Sequence, residues 1–213
     1  MNDNQIINYG KLLSKKLEEI EPLQVRPHLL LHVCCAPCSS YVLEYLNHYF
    51  QITLYFYNPN ISPKSEHDFR AEELQRLLKE MPLENKPEIL IEHYEPEVFL
   101  KAAEGLENEP EGGKRCEKCF YLRLQKAAQA AKAHQFDYFT TTLSISPHKN
   151  AALINEIGKA LSEQYGVPYL FSDFKKNNGY KRSCELSREY HLYRQNYCGC
   201  AFSKAAAAKK EQL

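Results

Sequence analysis

Seven of the chain's eight cysteines fall into three tight groups: Cys34-Cys35 with Cys38 three positions on, Cys116-x-x-Cys119 and Cys198-x-Cys200. Groups this short make a poor disulfide framework, because a bridge demands a particular Cα spacing and side-chain direction. A fold that gathers them can aim up to seven soft thiols at one place. Soft thiolates select iron–sulfur clusters or zinc over hard cations. The chain does not need staples in any case. Its 213 residues, 44% of them apolar, suit one compact domain. A domain of that size buries roughly 70% of its unfolded surface. The expectation is a thiolate-metal site set in an ordinary core.

Charge and hydropathy narrow the setting. The 27 basic and 27 acidic residues cancel, so no global field draws in nucleic acid and any such contact needs a local patch. Met1 to Gly10 is polar and carries no export signal, and no apolar run approaches the length of a membrane span. The expected compartment is the reducing cytoplasm, where clustered cysteines act as metal ligands or catalytic thiols.

The apolar pattern alternates between two periods. Residues 1–20 predict an amphipathic helix through Ile6, Leu13, Leu17 and Ile20. Leu29-Leu30-Leu31-His32-Val33 reads as a buried parallel strand that ends in the first cysteines. A helix starting near Ser39-Ser40 follows, with Val42, Leu43, Leu46 and Phe50, then a strand over Ile52–Tyr57 ending at Asn58-Pro59-Asn60. Next come a helix over Ser65–Met81, with Phe69, Leu74, Leu77 and Leu78 inward, and a strand over Glu88–Glu92. A short helix lies between Pro96 and Gly113, and Cys116 and Cys119 open a long Ala-rich helix to about Ala133. Tyr138–Leu143 predicts a strand, Asn150–Tyr165 a helix with Leu153, Ile154, Ile157 and Leu161 inward, and Val167–Phe171 a last strand. From Ala205 the chain is an Ala/Lys-rich frayed helix. Such alternation predicts the α/β class, a single three-layer domain with helices on both faces of a parallel sheet. Its boundaries are 1–28 for an N-terminal helix and linker, 29–203 for the metal-binding α/β domain with a helical and loop C-terminal part bearing cysteines, and 204–213 for a tail. Ligands of such folds sit beyond the carboxyl ends of the strands, where Cys34, Asn58 and Thr142-Leu143-Ser144 are expected.

Each cysteine group allows more than one chemistry. Cys116-x-x-Cys119 alone fits zinc, iron–sulfur or thioredoxin-like redox use, and the glycines of Glu111-Gly112-Gly113-Lys114-Arg115 let a loop curl around a cofactor. Cys34-Cys35 is either a pair of packed small residues or a pair of ligands. With Cys116 and Cys119 it completes the four thiolates of a cubane cluster or of structural zinc, and a place at the heart of the sheet favours iron–sulfur. A Cys198–Cys200 disulfide would be strained and readily reduced, which suits a redox-active pair; the alternative is a second metal, with Cys38 as a further ligand. Cys184 reads as a packed thiol.

Two further stretches are dense in polar groups. Thr140 to Asn150 sits at a strand-to-helix turn, where helix amides could hold an anion, His148 could touch it, and Ser146 could simply cap the helix. Ser172 to Arg182 packs Lys175, Lys176, Lys181 and Arg182 among aromatics, and Arg188, Tyr193, Arg194 and Tyr197 continue the pattern up to Cys198. Cations contact phosphates and aromatics stack on unpaired bases, so RNA is one reading and solvated surface the other.

Leu31-His32-Val33-Cys34-Cys35-Ala36-Pro37-Cys38, Tyr57–Ile61, Glu109–Cys119, Thr140–Asn150, Ser172–Lys181 and Tyr193–Cys200 together resemble the QueH-type epoxyqueuosine reductases, over about Leu29 to Ser203. The resemblance implies a cobalamin-independent oxidoreductase that reduces epoxyqueuosine to queuosine at the wobble position of tRNA anticodons, the last step of queuosine synthesis. More distantly, the chain resembles the nucleotide-binding fold of the PP-loop tRNA-modifying enzymes, with Cys34 to Ser40 in place of the pyrophosphate turn. By family likeness, Cys34, Cys35, Cys116 and Cys119 would hold a 4Fe–4S cluster. Cys198 and Cys200 would be a redox-active disulfide pair or, with Cys38, ligands of a second, mononuclear iron. A low-potential donor of ferredoxin or flavodoxin type would supply electrons. Substrate or tRNA contacts would come from Asn58, Asn60, His148 and Lys149, and from Asp173, Lys175, Lys176, Tyr180, Lys181, Arg182 and Arg194.

Overall fold

The structure, a computed structural model, describes residues 7–211. Four parallel strands, β1 (His28–His32), β2 (Gln51–Phe56), β3 (Glu88–Ile91) and β4 (Tyr138–Thr141), form one sheet in the order β3-β2-β1-β4. Eight α-helices surround it: α1 (Tyr9–Ile20), α2 (Ala36–Leu46), α3 (Lys64–Glu80), α4 (Pro96–Ala103), α5 (Lys114–Ala133), α6 (Ala151–Tyr165), α7 (Gly179–Glu189) and α8 (Ala201–Glu211). The α/β expectation holds.

Alternation along β1 explains the layering. Leu29, Leu31 and Val33 enter one core with Leu13 and Leu17 of α1, Val42 and Leu43 of α2 and Leu74 and Leu77 of α3. Leu30 points the other way, into a core with Leu124 and Ala127 of α5 and Ile154 and Leu161 of α6. Successive side chains of a strand face opposite sides, so a strand covered on both faces must be apolar throughout. A third, smaller core joins Phe99 and Ala103 of α4 to Cys119 and Cys200, with Phe202 against it.

After β1 the chain steps outward to β2 and β3, then returns through α4 and α5 to place β4 on the opposite side of β1. The strand order therefore reverses at β1, and a crevice opens beyond its carboxyl end.

Several elements differ from the sequence expectation. Helix α2 begins at Ala36, with Pro37 in its first turn, so Cys38 to Ser40 lie inside the helix and Phe50 lies beyond it. Proline suits this position because its missing N–H is not needed there. Phe69 is exposed, because the buried stripe of α3 runs through His67, Arg70, Ala71, Leu74, Leu77 and Leu78, one position out of step with it. Strand β4 stops at Thr141, and Thr142–Ile145 form a 3₁₀ turn. Val167–Phe171 makes only an isolated parallel bridge, Phe139 to Tyr169, because Pro168 can accept from Phe139 but has no N–H to extend the ladder. The basic stretch after Ser172 becomes helical from Gly179. The terminal helix starts at Ala201 rather than Ala205. The expected helical position Ile6 falls outside the described residues.

Candidate metal centre

The cysteines of the three sequence groups form two thiol groups in the structure, Cys34, Cys35 and Cys38 just past the end of β1, and Cys116, Cys119, Cys198 and Cys200 around a cavity. Only Val33 separates Cys34 from the end of β1, and Cys35 stands at the N-cap position of α2. The Sγ atoms of Cys34, Cys35 and Cys38 lie within 4.8 Å of one another, and those of Cys34 and Cys35 are 3.8 Å apart. Cys116, Cys119, Cys198 and Cys200 line one cavity together with Asn60, Arg115, His148 and Lys149. Cys116 and Cys119 sit in the first two turns of α5, so the thiols meet two helix N-termini, where the helix dipole favours negative charge. All eight cysteines are free thiols, so the Cys198–Cys200 disulfide that the family likeness implied is not formed. Cys184 lies on α7 and belongs to neither group.

The thiols do not share one character. Hydrogen bonds from Cys34 and then Cys38 hold Cys35 well below the usual thiol range, while the bonds to Cys34 and Cys35 push Cys38 well above it. Cys34 is raised, first by its bond to Cys35. Burial pushes Cys119 up to about 12 and raises Cys116. A thiol so desolvated gives up its proton when a metal takes the proton's place. Backbone amides are already aimed at two sulfurs: Gly112 N–H lies 3.3 Å from Cys116 Sγ, and Ser203 N–H 3.3 Å from Cys200 Sγ.

Cations complete the site. Arg123 is fully buried on α5. Its Nε donates to Cys119 O and its Nη1 to Asn58 Oδ1, each at 3.3 Å, while Nη2 has no hydrogen-bond partner among the described residues. Burial opposes its charge, but Cys119, Cys198, Cys34 and Cys116 outweigh that and hold it more firmly cationic. Lys149 behaves alike: burial works against its charge, and Cys198, Cys34 and Cys38 raise it. Lys149 thus lies within electrostatic reach of both thiol groups. Arg70, 1% exposed, pairs with Glu66 and donates to Cys198 O at 3.2 Å, while Ser62 N–H holds Gly199 O at 3.0 Å. These two bonds fix the Cys-Gly-Cys turn against α3 and the segment that precedes it. Gly199 is needed there: its φ is 127°, and a Cβ would meet Arg70 Nη1 at 3.0 Å.

The strand ends are tied together underneath. His32 is fully buried, and its Nε2 lies 3.2 Å from Tyr57 O. A carbonyl only accepts, so Nε2 carries the proton and Nδ1 accepts from Thr141 O–H at 2.8 Å. Burial and then Arg123 push His32 down to about 3, which keeps it neutral. Asn58 donates to Val33 O at 2.9 Å while its Oδ1 receives Arg123. One asparagine therefore links β1, β2 and α5.

The polar stretch after β4 turns out to be wiring. Thr140 donates to Leu170 O, Ser144 and Ser172 share a hydrogen bond, and Asn155 brackets Ser172 on both sides. Asn150, not Ser146, caps α6 through its side chain; Ser146 accepts from His148 N–H. His148 and Lys149 do reach the cavity. The second polar stretch does not. Lys175 is bound to Asp173, and Arg182 is held by Glu44 and Glu185. Arg194 donates to Ser187 and stacks over the exposed Tyr180. Lys176 and Lys181 stand exposed and form no ion pair among the described residues.

Sequence reasoning passed over Arg123, Arg70 and His32. A signal existed for each: Arg123 follows Cys119 by four positions on the apolar face of a helix, Arg70 interrupts the apolar stripe of α3, and His32 interrupts an apolar strand.

Fold and site together define an α/β protein of the thiol-clustering kind, with buried cations among its sulfurs at a parallel-sheet switch point. The chain belongs to the epoxyqueuosine reductase QueH family, whose model matches residues 29–206. It is 48% identical to the epoxyqueuosine reductase QueH of Streptococcus pyogenes serotype M1 over 205 residues, covering 95% of this chain and 80% of that protein. The Staphylococcus epidermidis relative of the same name is 48% identical over 206 residues, covering 94% and 86%. The Thermotoga maritima one is 39% identical over 178 residues, covering 82% and 89%.

Proposed function

We infer that this chain is an epoxyqueuosine reductase, acting on the wobble nucleotide of tRNA in the cytoplasm to complete queuosine. The reaction takes up two electrons and two protons, breaks both epoxide C–O bonds, leaves a C=C bond and releases water. The observation that carries this reading, beside family membership, is a pair of thiol groups, three cysteines in one and four in the other, with a buried arginine and a half-buried lysine within electrostatic reach of both.

The donor set fits redox iron. Thiolates are soft ligands, two helix N-termini and two cations offset their charge, and amide N–H groups already point at sulfur. Cys34, Cys35, Cys116 and Cys119 would hold a 4Fe–4S cluster; three of them are buried, and Arg123 lies within electrostatic reach of Cys34, Cys116 and Cys119. A bound cluster supplies single electrons, fed by a ferredoxin- or flavodoxin-type donor, and a neighbouring iron supplies a Lewis acid. Cys198 and Cys200, free thiols on either side of Gly199, can deliver two electrons and two protons on closing to a disulfide. Lys149 Nζ on the cavity wall donates a hydrogen bond to the epoxide oxygen and stabilises the negative charge that develops there. Phe99 and Phe120 keep that wall dry. Lys176 and Lys181 hold the anticodon arm through its phosphates.

Proximity favours a second grouping. Cys34, Cys35 and Cys38 would hold a single iron, and the four cavity thiols would hold the cluster. Anaerobic purification with iron and sulfide analysis and electron paramagnetic resonance separates the two. A cubane gives about four irons and four sulfides per chain. On the first grouping, Cys34→Ala and Cys119→Ala lose them, while Cys198→Ala keeps them and loses turnover. On the second, Cys198→Ala loses the cluster and Cys38→Ala loses only the extra iron. Zinc without sulfide refutes both.

A further inference from the structure

We propose that Arg123 is the fixed counter-charge of the metal centre, the residue that sets how readily the bound cluster accepts an electron. The inference rests on the iron–sulfur reading above.

An unpaired charge in a protein interior costs several kcal/mol, so buried arginines sit beside carboxylates. Arg70 follows that rule with Glu66. Arg123 does not. It is 1% exposed, its hydrogen bonds go to the neutral oxygens of Cys119 and Asn58, its guanidinium lies 5.9 Å from the centre of the Phe120 ring, and Nη2 has no hydrogen-bond partner among the described residues. No carboxylate pairs with it among the described residues, and it follows Cys119 by one helical turn, with the sulfurs of Cys119, Cys198, Cys34 and Cys116 in electrostatic reach. A buried guanidinium without a carboxylate is matched by a metal centre held on those sulfurs. Four thiolates outweigh the positive core of a 4Fe–4S cluster, so the assembly is anionic and becomes more so on reduction. A guanidinium held in place favours the reduced form without having to move. Asn58 provides the hold, because the side chain that grips Val33 O also receives Nη1.

The test is potentiometric titration of anaerobically purified protein by electron paramagnetic resonance, with iron and sulfide counted in parallel. Wild-type protein without iron and sulfide overturns the functional reading itself, before any variant is examined. With the cluster present, Arg123→Met is expected to shift the reduction equilibrium at least tenfold toward the oxidised form, about 59 mV more negative for one electron, or to lose the cluster. Arg123→Lys, which keeps the charge, is expected to restore both. Asn58→Asp neutralises the guanidinium in place and is expected to move the midpoint the same way as Arg123→Met. A wild-type midpoint in a fully loaded Arg123→Met or Asn58→Asp protein overturns the proposal. So does identical behaviour of the Met and Lys variants, which would assign the effect to shape rather than charge.

Discussion

Asn58→Leu is the substitution whose consequence the structure specifies most fully. Asn58 is 1% exposed and its side chain makes two hydrogen bonds, one to Val33 O at 2.9 Å and one from Arg123 Nη1 at 3.3 Å. Leucine fills nearly the same volume but serves neither group, and it leaves no room for water to replace the amide. An unsatisfied buried carbonyl costs ~1–3 kcal/mol and a lost bond to a charged donor ~1.5–3 kcal/mol. Even the lower halves of these ranges sum to about 3 kcal/mol, a large share of a typical domain's stability. For a domain of ~200 residues, each kcal/mol shifts Tm by about 2–4 °C, so the expected drop is about 6–12 °C. Asn58→Ala should fall by roughly half as much, because a water fits in the vacated space and meets both groups. Thermal unfolding by circular dichroism under anaerobic conditions, with metal content recorded for each sample, provides the measurement. An Asn58→Leu protein melting within about 2 °C of wild type would refute the idea that this asparagine joins the two strand ends to α5.

Three other outcomes can be checked. Gly179→Ala should destabilise by more than about 2 kcal/mol in denaturant titration, since its Cβ would lie 2.0 Å from the backbone oxygen of Phe174 and 2.4 Å from the Tyr41 ring. Arg115→Ala should raise amide exchange and proteolysis across residues 106–109, because Arg115 Nη1 donates to the carbonyls of Leu106, Glu107 and Glu109 at 2.9, 2.9 and 2.7 Å. Lys176→Ala with Lys181→Ala should flatten the salt dependence of tRNA binding by about 1.4–1.8 in log–log slope, whereas Arg182→Ala should barely alter it, since Arg182 is engaged by Glu44 and Glu185. The reverse order of effects would move the RNA contact elsewhere.

Much of this molecule is readable from residue order alone, because periodicity is local. Leu29 to Leu31, Leu54 and Leu77 announce strand and helix faces wherever the rest of the chain lies, and a strand–helix alternation of this kind has few solutions other than a covered parallel sheet. The cysteine spacing likewise announces thiolate chemistry. What order could not disclose is which groups end up as neighbours. Val167–Phe171 carries a strand's pattern, yet it pairs at one bridge because Pro168 has no N–H to offer. Lys175 and Arg182 read as free cations until folding brings Asp173 and Glu44 to them. Arg123 reads as one more helical charge. Only the return of α5 beneath the end of β1 surrounds it with sulfur and leaves it without a carboxylate. Local propensity acts along the chain, whereas burial, pairing and electrostatic neighbourhood are properties of the packed interior. That is why the grouping of cysteines is visible in residue order, and the cations and hydrogen bonds around them only in three dimensions.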